Sequence, residues 1–195
     1  MRHWPLLLIA SLVFAAIWLG TYAIGHRPFP AETTPEGAYA RIALSVEERR
    51  IKDIFPYLET EAQWAAFTIR DARKKACERV RASYLPGERE RLLHEWSEEA
   101  GAPDGADLFA IVARRQGWMG RLERDLSGAA SVDVEGERAT VVTARGTRYP
   151  FRRRDNGIWG LTIFTAELEA DAERASRDLE VVQRAADDYD RAAGR

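Results

Sequence analysis

Ser131–Thr165 reads SVDVEGERATVVTARGTRYPFRRRDNGIWGLTIFT, and the spacing of its apolar residues decides the fold class. Before this stretch apolar residues recur every three or four positions; within it the period shortens to two. Val132 and Val134 run up to Glu135-Gly136, a turn signal, and Ala139–Ala144 (ATVVTA) is rich in β-formers. In Thr147–Arg154, Tyr149, Phe151 and Arg153 alternate with Arg148, Arg152 and Arg154. Successive strand side chains point to opposite faces, so each set shares one face. Asp155-Asn156-Gly157 is a hairpin turn, because Asn and Gly tolerate positive φ. Ile158–Thr165 returns with Trp159, Leu161 and Ile163 on one face. The pattern predicts an antiparallel meander of about four strands.

Helical spacing fills the chain N-terminal to the meander. Residues 26–34 (HRPFPAETT) form a polar, proline-bearing linker. Thr34-Pro35-Glu36 opens a helix, since threonine caps and proline suits the first helical position. Ala38, Tyr39, Ile42 and Val46 follow at helical steps, and Ser45-Val46-Glu47-Glu48 has the pattern of a second helix start. Ile51, Ile54, Phe55 and Leu58 continue an apolar face to a break or kink at Pro56. Thr60-Glu61-Ala62-Gln63 is another capping box, opening a helix over 61–83. Its expected buried face is Trp64, Phe67, Thr68, Ala72, Ala76 and Val80, with Arg70, Arg73, Lys74, Glu78 and Arg81 outward. Leu85-Pro86-Gly87 breaks the chain before a helix over Glu88–Ala100 carrying Leu92, Leu93 and Trp96. Short helices near 106–115 and 118–126 meet at Gly117.

The C-terminal segment has its own signature. Leu168, Ala172, Ala175, Leu179, Val182, Ala186, Tyr189 and Ala193 fall at alternating steps of four and three, a heptad seam. It fits a helix packed on its own domain, or one that pairs with a copy of itself or with a partner. Its Ala content permits close approach but buries little area per residue. Nine acids against five arginines in 167–195 leave a net charge of −4 and a solvated outer face.

At the other end, Trp4–Ile24 (WPLLLIASLVFAAIWLGTYAI) is twenty-one residues without a charge. About 20 apolar residues span a bilayer core, and Trp4, Trp18 and Tyr22 sit near the ends as interfacial aromatics do. The competing reading is a signal peptide cleaved after Ala23-Ile24-Gly25. Arg2 and His3 before the span nearly balance His26 and Arg27 after it. The short N-terminal tail and long C-terminal domain of a signal anchor place 26–195 outside the cytoplasm. With Cys77 the only cysteine, no lipoprotein site exists. Only Lys52, Lys74 and Lys75 are lysines, and arginine with abundant alanine points to a GC-rich bacterial genome. The expected location is therefore the bacterial inner membrane, with membrane contact through residues 4–24 and the C-terminal domain in the periplasm.

These readings give an α+β fold: an N-terminal transmembrane helix, several helices packed on the meander, then a long C-terminal helix. The segments are 1–25 (signal anchor), 26–34 (linker), 35–165 (extracytoplasmic domain) and 166–195 (amphipathic helix). A net charge of −2 and a pI near 6.0 leave no footprint for nucleic acid. One cysteine forms no internal disulfide, and His94 is the only histidine beyond residue 26, so no metal ligand set and no cofactor is expected. GxGxxG, P-loop, GxSxG, HExxH and CxxC motifs are absent.

Two candidates carry chemistry. His94 in HEWSEE is the obvious acid/base, but it lies in a polar helical stretch with no partner evident, and a surface histidine is the plainer reading. The arginine cluster Arg145, Arg148, Arg152, Arg153 and Arg154 is the second. Arg148, Arg152 and Arg154 on one face could grip a carboxylate, a phosphate or anionic headgroups. The plainer reading pairs them with Glu167, Glu169, Asp171 and Glu173 of the C-terminal helix. Trp64, Trp96, Trp118 and Trp159 are expected in the core, with Cys77 as a small apolar filler.

The order of elements, with Thr34-Pro35-Glu36, GERATVV (136–142), Tyr149-Pro150-Phe151 and Asp155-Asn156-Gly157-Ile158-Trp159, resembles the nuclear transport factor 2-like superfamily with its cystatin-like cone. It is most similar to small bacterial membrane-anchored or lipoprotein members of unknown function. The resemblance covers 34–44 and 131–165; residues 60–128 are longer and more helical, and the last helix is an addition. It implies a curved sheet over helices with a pocket between them, and it carries over no catalytic residue. The expected function is binding at the membrane through the C-terminal helix or the arginine-bearing sheet face. The alternatives are a small-molecule or enzymatic pocket inside the sheet, and a cleaved, soluble periplasmic factor.

Overall fold

A computed structural model describes residues 29–194; the anchor expected at 1–25 lies outside the described residues, as does the start of the linker. Among the described residues no helix is long and apolar enough to cross a membrane.

Thr34 caps the first helix as its sequence predicts. Its hydroxyl accepts the Gly37 N–H at 3.1 Å, and Pro35 begins α1 (Pro35–Glu47). No second helix starts at Ser45: its hydroxyl donates back to the Arg41 carbonyl at 2.8 Å, a bond that leaves the helix intact. The chain reverses at Arg49 (φ 55°) and makes a 3-10 turn over Ile51–Tyr57. Next come α2 (Thr60–Ser83), α3 (Pro86–Ala100), α4 (Gly105–Arg115) and α5 (Trp118–Asp125). Gly117, at φ 66°, supplies the left-handed hinge between the last two.

The expected capping box of α2 does not form. Glu59 takes the cap position without a side-chain capping bond, and the Gln63 amide donates to the carbonyls of Phe55 (2.8 Å) and Leu58 (3.2 Å). The expected inner face of α2 also needs correction. Its buried residues are Ala62, Ala65, Ala66, Ile69, Ala72, Arg73, Ala76, Cys77 and Val80. Trp64 is 70% exposed, Phe67 41% exposed, and Thr68 is exposed as well. The reason is steric. α2 lies against another long helix along an alanine stripe, which turns the large aromatics out.

The sheet is the meander that the alternation predicts. β1 (Ala129–Glu135), β2 (Arg138–Thr143), β3 (Arg148–Arg153) and β4 (Trp159–Leu161) lie in the order β1-β2-β3-β4, all antiparallel. Asn156 Oδ1 accepts the Ile158 N–H at 3.1 Å in the β3–β4 turn, where Gly157 has φ 81°. β4 is shorter than the predicted 158–165, because Thr162–Phe164 turn into α6 (Thr165–Ala192). Its outer edge is taken by the segment before α2: Leu58 bridges Leu161 in parallel, and the Glu59 N–H donates to the Leu161 carbonyl at 3.2 Å. Gly160 makes this approach possible, since a Cβ there would lie 2.5 Å from Glu59 Cα. β1 is the other edge, almost wholly exposed, and carries Asp133 and Glu135, charges of the kind that guard free edges.

Two cores result. The larger joins Val141, Tyr149, Phe151, Trp159 and Leu161 of the sheet to Ile42, Ile54, Leu58, Phe109, Trp118 and Leu168. Trp118 stacks on Phe164 at 4.4 Å and donates to Glu167 Oε2 at 2.8 Å. The smaller joins Ala76, Cys77, Val80, Leu92, Trp96, Val182 and Ala186, from α2, α3 and α6. Trp96, Trp118 and Trp159 are core residues as predicted; Trp64 is not.

Candidate functional site

The heptad seam is occupied within the chain. Leu168, Ala172, Ala175, Val182 and Ala186 are buried, and Leu179 and Tyr189 are half-buried against the same clusters. Their partner is α2, which runs in the same direction as α6: Arg73 pairs with Asp178 (2.7 Å), Arg79 with Asp187 (2.5 Å) and Ser83 with Asp190 (3.0 Å). Small residues on both helices let them approach closely, and the arginine–aspartate pairs fix the register.

Arg73, predicted to face outward, is the hub of a buried network. It is 7% exposed, its Nε lies 3.1 Å from Glu99 Oε2, and its guanidinium sits 4.6 Å above the Trp96 ring. Glu99, 6% exposed, also receives Arg115 at the end of α4, and Arg115 reaches Asp171 on α6 at 3.6 Å. Four helices thus meet through alternating charges. Hydrophobic periodicity carries no signal for such a residue, because a buried, paired arginine has the sequence appearance of a solvated one.

The packing of α2 on α6 leaves a groove on the outer side. One stretch, about 750 Å³, is lined by Thr60, Glu61, Trp64, Thr68, Glu169 and Arg177, among others. A second, about 520 Å³, continues from Trp64 and Phe67 past Asp71 to Lys75 and Leu179. Ala65, Ala72 and Ala172 form the floor. Phe67 is braced edge-on against Phe55 (5.9 Å), whereas Trp64 projects. Charge is divided along the groove. Glu61, Glu169 and Glu173 stand at one end with Arg177, and Lys75 stands at the other with Asp71. Glu169, Lys74 and Lys75 make no ion pair among the described residues. Trp64 and Phe67 line this groove instead of the core, although large aromatics at helical spacing read as core.

The arginine face is regrouped. Arg152 reaches Glu61 (3.2 Å) and Glu59 (3.4 Å) at the start of α2, not the C-terminal helix. Arg154 donates to the Pro56 carbonyl (2.7 Å) and Gln63 Oε1 (3.1 Å), and burial lowers its pKa. Arg148 lies four residues along β3 from Arg152, about 13 Å away, so the predicted trio does not converge. Arg138, Arg152, Arg153 and Arg154 do line one hollow of about 510 Å³, together with Glu137 and Asp155. Arg138 stands directly opposite Arg152 across β2 and β3, which only the strand register reveals.

On the inner face of the sheet Phe151 and Trp159 are buried at 2% and 5% exposure, and burial pushes the pKa of the Tyr149 hydroxyl up to about 12. Glu59 is raised too, chiefly by burial, against the Thr165 hydroxyl bond and Arg152 that lower it. His94 is exposed on α3. Cys77 is buried with its thiol raised by desolvation, a poor nucleophile. No cluster of three metal-ligating side chains occurs among the described residues. No family model matches the chain, and neither does any curated protein or solved structure.

Proposed function

We propose that residues 31–194 form a binding module, held on the outer face of a bacterial inner membrane by residues 1–25, that docks a polypeptide helix in the α2–α6 groove. The observation that carries this is Trp64, 70% exposed on an otherwise well-packed helix and standing over an apolar floor. Exposed large aromatics beside a groove are the anchors of helix-in-groove recognition. The binding surface expected on the seam itself moves to its rim, because α2 already covers the seam. The filled sheet interior argues against the alternative small-molecule or enzymatic pocket. The order of helices, meander and helix is what supports the cone-superfamily reading.

Cysteine labelling in spheroplasts tests this. Thr68→Cys lies in the groove and Arg148→Cys on the exposed sheet face. A membrane-impermeant maleimide is expected to label Arg148→Cys readily and Thr68→Cys at least tenfold more slowly, with Trp64→Ala abolishing that protection. Equal labelling of both would contradict an occupied groove. No labelling of either before lysis would contradict the external location.

A further inference from the structure

The groove carries a pattern that specifies its occupant. One end carries Glu61, Glu169 and Glu173 beside Arg177, and the other, further along α2, carries Lys75 beside Asp71. Two copies laid antiparallel about a two-fold axis near Thr68 place residue 61 of each copy opposite residue 75 of the other. The same operation sets Trp64 over Ala72, a floor residue with space above it. A two-fold contact must be self-complementary, and this face is: acid meets base twice, and each aromatic meets an alanine floor. Like charges would meet if the copies were parallel.

We infer that the α2–α6 groove is filled by the same groove of a second copy of this chain, antiparallel, with Trp64 inserted reciprocally. The inference rests on the groove being a docking surface, as proposed above. Residues 60–75 span about 24 Å of helix axis, and two helices make a face about 20 Å wide, so on the order of 500 Å² per copy is covered. That is toward the small end of specific interfaces. Contact of this size is weak between free molecules and becomes effective when both copies share one membrane, which raises their effective concentration. Of the charges that steer it, Glu169 and Lys75 make no ion pair among the described residues, whereas Glu61 is shared with Arg152 and Glu173 with Arg177.

The test is a photo-crosslinking amino acid at position 68 of the full chain, irradiated in intact membranes. The expected product is an adduct of twice the chain mass whose peptides all come from this chain, with the bond between α2 segments. An adduct with a different protein would overturn self-pairing while leaving the groove a docking surface. No adduct at position 68 would overturn both. A dimer adduct formed equally from a crosslinker at position 94 on α3, outside the groove, would mean collision rather than docking and would also overturn the inference.

Discussion

At the scale of single residues, two positions bear unusual constraints. Gly160 lies so close to the Leu58–Glu59 backbone that a methyl group collides with main-chain atoms at 2.5–2.8 Å. Main chain cannot swing away as a side-chain end can, so Gly160→Ala is expected to cost about 1–3 kcal/mol, read as a lower midpoint in urea. Glu59 is 4% exposed with a raised pKa, so the fold favours its protonated form. The sign follows directly. Its stabilising share is complete below the ordinary carboxylate range and is lost as pH rises through the raised value. Glu59→Gln is therefore expected to raise Tm at pH 7 and to leave it unchanged near pH 4. A lower Tm at pH 7 would show that the ion pair with Arg152 outweighs burial. Trp64→Ala removes an exposed side chain and is expected to shift monomer stability by no more than about 0.5–1 kcal/mol. That small effect is what makes it a clean probe of docking.

At the scale of elements, α2 decides the architecture. It presents one stripe to α6, another to α3 and α4, and a third to the outside. Arg73 joins the first two stripes, and its loss leaves Glu99 with Arg115 alone. Arg73→Ala is expected to destabilise by about 3–5 kcal/mol; Lys74→Ala, one residue on and exposed, should be near neutral in the same thermal melts. The strands were legible because alternation and turn residues are local signals: Glu135-Gly136 and Asp155-Asn156-Gly157 mark turns wherever they occur. The length of α6 and its seam were legible for the same reason. What packs on the seam was not, since an alanine-rich heptad serves an internal neighbour and an external one alike. On α2 side-chain size is no guide to burial. Close helix pairing rewards the smallest side chains, so Trp64 and Phe67 gave way to Ala65, Ala72 and Ala76. The arginine hollow needed register: Arg138 meets Arg152 only once β2 is set against β3.

At the scale of the whole molecule, the proposed picture is a domain that docks through the helical groove between α2 and α6. This proposed recognition surface combines relief with charged residues at both of its ends. Since the pairing is steered by exposed charges, its strength should fall as salt rises beyond physiological levels. The most direct measurement uses two differently tagged full chains expressed together. One carries Lys75→Glu; the other carries Glu61→Lys. Copies of either variant meet like charge against like, whereas the two together restore both opposite-charge contacts. Co-purification from membranes is expected between the two variants and at least tenfold less within each. Pairing that ignores the charge reversals, or no pairing of the unaltered chain with itself, would contradict an antiparallel two-fold contact through this groove.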